Sequence, residues 1–278
     1  MNNHDICLIV VLFNPSQDQI ETFGRINNYD VIVVDNSDHE NKVSGLTYIP
    51  LFRNTGIAFA QNKGIQYAKN KHYKYILFFD QDSKVDDHYI SDIFFEFNRI
   101  TAIDKTLKIL GPLVIDEKNK TEYKSESNNN TSYNKVNTVI SSGSIVSVDL
   151  FNKVGLLDES LFIDYVDCEL CWRARSYGYS TYMTRNVALY HNVGSSYRSI
   201  LGVPFGVSSP FRYFYQYRNM LWLMRRKYVP FSWKYKSFIR SILDLIVVPF
   251  ISNDYTDTLK FMIKGYYAGI KKQIQPHF

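Results

Sequence analysis

The chain has 278 residues, 45% hydrophobic and 21% charged, which are the proportions of a globular protein and exclude disorder, collagen or coiled coil as descriptions of the whole. Its net charge is +5, but residues 212–278 carry 12 Lys and Arg against 3 Asp, so an acidic body precedes a basic tail. The three cysteines are too few for a disulfide framework and indicate a reducing compartment.

Neither a secretory signal nor a membrane-spanning helix is predicted. Residues 6–13 form an apolar run that no cationic segment precedes, unlike a signal peptide. The most apolar later stretch, residues 241–252, is interrupted by Asp244 and Pro249 and is shorter than the roughly 20 residues that a bilayer requires. We therefore expect a cytoplasmic protein.

Strand and helix patterns alternate through the first half of the chain. Continuous apolar runs predict buried strands, and the segments between them predict helices. The predicted elements are a strand over 6–13, a helix over 16–27, strands over 31–34 and 46–51, a helix over 56–70, a strand over 75–79 and a helix capped by Asp86 or Asp87. This order predicts an α/β fold with a mostly parallel sheet. Ligands of such sheets bind at the carboxyl ends of strands, where Asn14, Asp35 and Asp80 fall.

The second half begins with a polar segment, residues 118–135, that predicts a surface loop. A helix is predicted over 166–177, ended by Gly178, and a strand over 181–191. The tail is predicted to be helical. One face of its last helix, 257–272, is expected to be apolar, formed by Leu259, Met262, Ile263, Tyr266, Tyr267 and Ile270.

Two carboxylates follow the predicted strand at 75–79. Asp80 and Asp82 flank Gln81, and two carboxylates at such a position can hold Mg²⁺ or Mn²⁺ together with phosphate oxygens. A turn with helix-capping aspartates is the alternative interpretation. His191, at the end of a later strand, is either a third ligand or a structural histidine.

A second acidic cluster lies before the helix at 166–177. Asp167 falls at the start of that helix, which makes it a candidate general base. Its alternative role is that of a helix-capping aspartate.

Small residues open the predicted helix at 56–70. Asn54 and Gly56 begin it, and Ala58 and Ala60 keep it slim, so that a nucleotide could approach its backbone N–H groups. Tight packing of the helix on the sheet is the alternative. The segment is neither a Walker loop nor a dinucleotide-binding motif.

These segments, in this order, resemble the inverting family-2 glycosyltransferases of GT-A fold over residues 6–198. The resemblance implies a nucleotide-sugar donor, a divalent cation, Mg²⁺ or Mn²⁺, and a one-step displacement at the anomeric carbon. Segments 78–83, 141–143, 161–167 and 213–226 look like those of bacterial rhamnosyltransferases, which use dTDP-L-rhamnose and build surface polysaccharide. A UDP-hexose is the alternative donor.

The resemblance also assigns roles to residues of this chain. The implied donor-binding residues are Asp35, which would read the pyrimidine base, and Arg53, Asn54, Gly56, Asn62, Asp80, Gln81 and Gly143. The implied metal ligands are Asp80, Asp82 and His191. Asp167 matches the family's base, but Val166 replaces the acid that precedes it in the family, so Asp164 is the alternative base.

We therefore predict a GT-A catalytic domain over 1–205 and a helical, basic and aromatic region over 206–278. The tail suits an anionic membrane surface at the inner face of the cell membrane, and not nucleic acid. The alternative is that the tail packs on its own catalytic domain or on a partner chain, such as a second copy. The acceptor would be a surface-polysaccharide or lipid-linked glycan. The rival functions are a nucleotidyltransferase, which would need a Gly-rich basic loop that residues 13–16 lack, and a catalytically degenerate sugar-binding subunit.

Overall fold

The computed structural model describes residues 5–41, 43–116, 121–122, 131–191, 196–200 and 203–271. The chain divides into two compact units, the first comprising Met1–Glu159 and Leu170–Asn192, the second Ser160–Glu169 and Val193–Phe278. Most of the predicted surface loop at 118–135 lies outside the described residues. The domain boundary at residue 205 stays a prediction.

The described part of the first unit contains nine strands in one sheet. They are β1 Ile6–Leu12, β2 Asp30–Asp35, β3 Thr47–Pro50, β4 Tyr75–Asp80, β5 Leu107–Asp116, β6 Thr121–Glu122, β7 Tyr133–Lys135, β8 Ile145–Ser147 and β9 Ser180–His191. The helices along this part of the chain are α1 Gln17–Gly24, α2 Ile57–Asn70, α3 Asp87–Ile103, α4 Asp149–Val154 and α5 Val166–Ser176, and the division between the units falls within α5.

The sheet has the order β3-β2-β1-β4-β8-β5-β9-β7, with β6 paired to β5. Strands β3, β2, β1 and β4 are parallel, whereas β8 runs antiparallel to both of its neighbours. β5 and β9 are again parallel to each other. The predicted mostly parallel sheet is confirmed, and its parallel part brings the carboxyl ends of β1, β2 and β4 to one edge.

Helices cover both faces of the central strand β1, all of whose residues are buried. Leu8 and Val10 belong to a core cluster that includes side chains of α1 and α3. Ile9 points to the opposite face because side chains alternate along a strand. A Cβ atom added to Gly64 of α2 would lie 2.6 Å from Ile9 Cγ2, so glycine lets α2 pack tightly there.

The helix starts follow local capping chemistry. Ser16 and Gln19 form a capping box at α1, and the side chain of Asp86 accepts a hydrogen bond of 2.8 Å from the backbone N–H of Tyr89. Such bonds satisfy backbone donors that the first helical turn leaves without partners. Of the two capping residues considered for α3, Asp86 is the one observed.

The second unit contains a hairpin and three helices in its described part. These elements are β10 Ser196–Ile200, β11 Val203–Val207, α6 Pro210–Met224, α7 Phe231–Ile251 and α8 Tyr255–Lys271. None of the helices in the described ranges is long and apolar enough to cross a bilayer.

Close packing of α6 and α8 leaves part of the predicted apolar face of the last helix exposed. A Cβ atom added to Gly265 would lie 2.5 Å from the carbonyl oxygen of Phe214, so small residues of α8 face α6. Met262 is buried, but Ile263, Tyr267 and Ile270 are 53%, 53% and 64% exposed. Half of the side chains of the predicted apolar face are therefore exposed, because glycines make the closest contacts with α6.

Candidate active site

The carboxylates after β4 are carried by a fixed turn. Asp80 is the last residue of β4, and its carbonyl oxygen accepts a hydrogen bond of 3.0 Å from the backbone N–H of Ser83. Its own N–H donates to Ser142 Oγ at 3.2 Å, and the hydroxyls of Ser83 and Ser142 are 2.8 Å apart. Asp80 is half-buried and Asp82 exposed, so the turn presents carboxylate oxygens near solvent.

The segment that holds this turn requires a glycine. Ser142 pairs with Phe78 in an isolated parallel bridge, and the N–H of Gly143 donates to the carbonyl oxygen of Phe78 at 2.7 Å. Gly143 has φ +76°, and an added Cβ atom would collide with the hydroxyl of Tyr89, which donates to the Gly143 carbonyl oxygen at 2.8 Å. Gly143 therefore acts through backbone shape, since a side chain has neither space nor an allowed conformation there.

Gln81 joins the end of β4 to the loop after β1. Its Oε1 accepts a hydrogen bond of 2.7 Å from the backbone N–H of Phe13. The next residue, Asn14, has φ +46° and donates its N–H to Ser37 Oγ at 2.8 Å. The ends of three parallel strands, β1, β2 and β4, are thereby linked through side chains.

Asp35 at the end of β2 is 1% exposed and organises its own loop. Its carboxylate accepts hydrogen bonds from the N–H of Ser37 at 3.0 Å, Tyr48 Oη at 2.6 Å and Asn41 Nδ2 at 2.7 Å. Burial opposes ionisation, but these hydrogen bonds outweigh it and hold the pKa of Asp35 below its usual value. Burial and the Asp35 carboxylate raise the pKa of Tyr48 to about 12. Recognition of the donor's pyrimidine base by Asp35 stays a prediction.

Asn36 connects β2 to the start of α2, and the sequence interpretation missed it. Its Nδ2 donates to Asn54 Oδ1 at 3.1 Å, and its Oδ1 accepts from both the N–H and the hydroxyl of Thr55 at 2.8 Å. Asn54 Oδ1 also accepts from the N–H of Gly56 at 3.0 Å, where φ is +83°. The position of Asn36 directly after Asp35, in an Asp-Asn-Ser turn at a strand end, is the sequence signal that could have identified this residue.

The remaining residues of the predicted nucleotide loop differ in their surroundings. Arg53 is exposed. Asn62 is 2% exposed, and its amide bonds to the carbonyl oxygen and N–H of Leu157, at 3.0 and 2.9 Å, and to Glu159 Oε1 at 2.9 Å. These bonds tie α2 to the segment at 157–159, so the structure gives Asn62 a supporting role, and nucleotide contact by Asn62 stays a prediction.

The donor set at the end of β4 fits a hard divalent cation. Mg²⁺ is bound in proteins through one or two carboxylates, with substrate phosphates and water supplying the other ligands, and Asp80 and Asp82 supply two. Among the residues that the structure describes, no group of three His, Cys, Asp or Glu side chains could hold a metal ion. His191 ends β9, and its side chain lies outside the described residues, so the predicted third ligand stays a prediction.

Two aspartates of the second unit differ in what surrounds them. The carboxylate of Asp164 is paired with Arg212 at 2.5 and 3.3 Å. Burial, aided by the charge of Asp164, raises the pKa of Asp167, although hydrogen bonds from Cys168 partly oppose the shift. A proton acceptor works best when its pKa lies nearer the working pH. The raised pKa is compatible with proton acceptance by Asp167, whose role as the base stays a prediction.

Comparison with known proteins connects these features to a family. The family profile described as Glycosyl transferase family 2 matches residues 16–155. A curated protein of Shigella flexneri, dTDP-rhamnosyl transferase RfbF, is 30% identical over 290 residues, which cover 97% of this chain and 96% of RfbF.

Two solved structures show the fold. GalNAc-T7 with UDP, GalNAc and Mn²⁺ superposes with a TM-score of 0.56 at 13% identity, covering 97% of this chain and 57% of that one. TarS of S. aureus superposes with a TM-score of 0.52 at 15% identity, covering 84% of this chain and 42% of TarS. The chain thus spans about half the length of these structural neighbours.

The same substitution should have opposite effects on stability at Asp35 and at Asp167. Asp35→Asn should lower the free energy of unfolding at pH 7 by about 2 kcal/mol, because an amide cannot accept all the donors that the ionised carboxylate accepts. Asp35 stabilises the fold above its unfolded pKa, and this contribution is lost as pH falls through its lowered folded pKa. Urea denaturation against pH measures the effect.

Asp167→Asn is the matched comparison. The raised pKa of Asp167 means that its ionisation destabilises the fold, so stability should fall as pH rises through that pKa. Asp167→Asn should remove this fall and leave the protein at least as stable at pH 7. Equal losses of stability in the two variants would contradict the contrast.

Proposed function

Because the chain belongs to glycosyl transferase family 2, we propose that it transfers L-rhamnose from dTDP-rhamnose, with inversion, to a hydroxyl of a surface-polysaccharide or lipid-linked acceptor. The predicted family and GT-A fold are confirmed, and the nucleotidyltransferase alternative is wrong. The fixed Asp80-Gln81-Asp82 turn carries the proposal. Its likeness to the rhamnosyltransferase motif and the 30% identity to RfbF support the donor.

The turn after β4 and the loops linked to it would bind the nucleoside diphosphate. Asp80 and Asp82 would hold Mg²⁺ or Mn²⁺, with His191 as a further ligand. When bound, the cation neutralises charge on the leaving diphosphate. The start of α2 at Gly56 offers backbone N–H groups, which favour phosphate at a helix N-terminus.

The second carboxylate function is proton removal, which we assign to Asp167. As the acceptor oxygen forms its bond to the anomeric carbon, the bond from that carbon to the phosphate oxygen breaks. The acceptor proton passes to the carboxylate, and the nucleoside diphosphate leaves with the bonding electrons. The oxygens of Asp164 are instead engaged by the guanidinium of Arg212, so we keep Asp164 as the alternative base only.

A stripe of exposed apolar side chains on α7 supports attachment to the inner face of the cell membrane. Its members recur at helical spacing and are Phe231, Tyr235, Phe238, Ile239, Ile242, Leu243, Ile246 and Phe250. The tail that carries them has a large excess of Lys and Arg. An anionic bilayer can bind both the apolar stripe and the positive charge, whereas a second copy of this basic tail would bring like charges together.

The donor is tested by incubating the purified chain with Mn²⁺ and single nucleotide sugars. We expect dTDP-rhamnose to be turned over faster than UDP-glucose and UDP-galactose. EDTA should abolish turnover, and calorimetry should show that Asp82→Ala weakens diphosphate binding at least tenfold. Asp92→Ala, which changes an exposed aspartate of α3, is the matched control.

Each alternative has its own outcome in this experiment. A UDP-sugar turned over fastest would contradict the rhamnose donor. Equal dTDP affinity in EDTA and in Mn²⁺ would contradict the metal site. Binding of nucleotide sugars without turnover of any of them would indicate a catalytically degenerate subunit.

The base is tested by the kinetics of sugar transfer. Asp167→Asn should lower kcat and kcat/KM together by about 10²-fold or more, with donor affinity retained, because it removes only the proton acceptor. Asp164→Asn should lower them less. In the unsubstituted enzyme, kcat/KM should fall on acidification at a pH above the usual carboxyl range, since burial raises the pKa of Asp167. An active Asp167→Asn variant beside an inactive Asp164→Asn variant would move the base to Asp164.

Membrane attachment is tested by sedimentation with vesicles. The full chain should sediment with phosphatidylglycerol vesicles more than with phosphatidylcholine vesicles, and high salt should weaken the binding. Replacing Ile242 and Ile246 together by Ser should reduce it at least tenfold. Ile103→Ser, at an exposed apolar residue of α3, should not. Dimerisation without vesicle binding would assign the stripe to a second copy instead.

A further inference from the structure

The segment that leads into α5 has an unusual backbone. Phe162, Asp164 and Tyr165 each have φ +65°, in the left-handed region that residues with a Cβ atom rarely adopt. Such conformations cost about 1–3 kcal/mol each and persist only where surrounding contacts impose them. The contacts that impose this one come from α6.

The first of these contacts is the side-chain amide of Asn219. Its Nδ2 donates to three backbone carbonyl oxygens of the segment, those of Leu161 at 2.9 Å, Ile163 at 2.8 Å and Asp164 at 3.2 Å. Asn219 is 0% exposed. One buried amide therefore donates hydrogen bonds to carbonyl groups that have no partner within a helix or sheet, because the backbone is irregular there.

The second contact is the guanidinium of Arg218, also 0% exposed. Its Nη2 donates to the carbonyl oxygens of Ser160 at 2.7 Å and Leu161 at 3.0 Å. Its Nε and Nη2 donate to Asn219 Oδ1 at 3.0 and 2.8 Å. Arg218 thus fixes the orientation of the amide, so that Nδ2 of Asn219 faces the segment.

Aromatic rings surround the buried guanidinium. Its carbon lies 4.4 Å from the ring centroid of Trp222 and 4.7 Å from that of Tyr215, distances at which a cation is attracted to a ring face. Tyr215 stacks in turn on Phe162, with centroids 4.7 Å apart and planes 12° apart. The same rings therefore hold both the cation and a residue of the strained segment.

The held segment determines where α5 begins. The carbonyl oxygen of Tyr165 accepts a hydrogen bond of 2.9 Å from the N–H of Glu169, which forms the first turn of α5 around Asp167. A different conformation at residues 162–165 would change the direction in which this turn starts. The position of the Asp167 carboxylate therefore depends on the contacts from α6.

We propose that Arg218 and Asn219 are positioning residues, which hold the segment at 160–165 in the conformation from which Asp167 takes the acceptor proton. The inference rests on the proposed function, because the base role of Asp167 belongs to it. It gives a role to the segment at 213–226, which resembles a segment of bacterial rhamnosyltransferases and has no role in the proposed reaction. Neither side chain touches the reacting atoms.

The test is Asn219→Asp, which keeps the size of the side chain and an acceptor for Arg218 but removes the amide donor. We expect kcat for sugar transfer to fall by about 10²-fold, the effect of a misplaced catalytic group, with donor affinity within twofold of the unsubstituted value. The acidic limb of kcat/KM should move to lower pH, because a relaxed segment would admit water to Asp167 and reduce the burial that raises its pKa. Asn98→Asp, in an exposed turn of α3, is the matched control.

Two further variants sharpen the result. Arg218→Lys keeps the positive charge but lacks the planar guanidinium, whose N–H groups donate in fixed directions. It should therefore show the same loss of kcat as Asn219→Asp. Arg212→Gln changes the partly exposed partner of Asp164 and leaves the buried pair intact. It should lower kcat in the same direction by a smaller factor, because it removes another contact to the same segment. An unchanged kcat in this folded variant would contradict the dependence of Asp167 on the conformation of that segment.

The outcomes that overturn the proposal are distinct. A folded Asn219→Asp variant with unchanged kcat and pH profile overturns it. So does a parallel loss of melting temperature and donor affinity without any shift of the acidic limb, which is what a purely structural role predicts. Asp167→Asn, measured alongside, separates the two proposals. If it is inactive while Asn219→Asp is normal, only the positioning role fails, and if it is fully active, the base assignment fails and the positioning role with it.

Discussion

A strand that ends leaves backbone groups without partners in the sheet, and this protein satisfies them with polar side chains of neighbouring loops. Ser142 accepts from the N–H of Asp80, Gln81 from that of Phe13, and Ser37 from that of Asn14. The N–H donors are exposed or half-buried, so these side chains take the place that water would otherwise have as hydrogen-bond partner. They also fix the loops in which the proposed donor site lies. The geometry of that site therefore depends on how the backbone groups at the strand ends are hydrogen-bonded.

The second unit meets the same requirement with donors instead of acceptors. The carbonyl groups before α5 are collected by Asn219 and Arg218, and the strained backbone is stable only with them. The carboxylates show the related contrast. Asp35 is buried with three donors and stays ionised, whereas burial outweighs hydrogen bonding at Asp167 and raises its pKa. The pKa values of the two carboxylates thus shift in opposite directions because hydrogen bonding outweighs burial at Asp35 and not at Asp167.

Small residues explain why the tail exposes so much apolar surface. The glycines of α8 allow its backbone to approach α6 closely, so the larger apolar side chains of that helix are not needed in the contact. Ile263, Tyr267 and Ile270 therefore face outward, as does the stripe on α7. Exposed apolar surface of this extent is characteristic of an interaction site.

The sequence by itself determined several of the local elements and the acidic turn. A fully apolar run predicted β1, capping chemistry predicted the start of α3, and the position of Asp80 followed from the end of a buried strand. These features depend on neighbours within a few residues, so a local pattern contains the information. Only the tertiary structure decided that β8 enters the sheet antiparallel between β4 and β5, that Asn62 bonds to Leu157, and that Asn219 supports the segment before α5. Each of these contacts joins residues some 35 to 95 positions apart. The choice of such a distant partner depends on which groups the folded chain leaves to be paired.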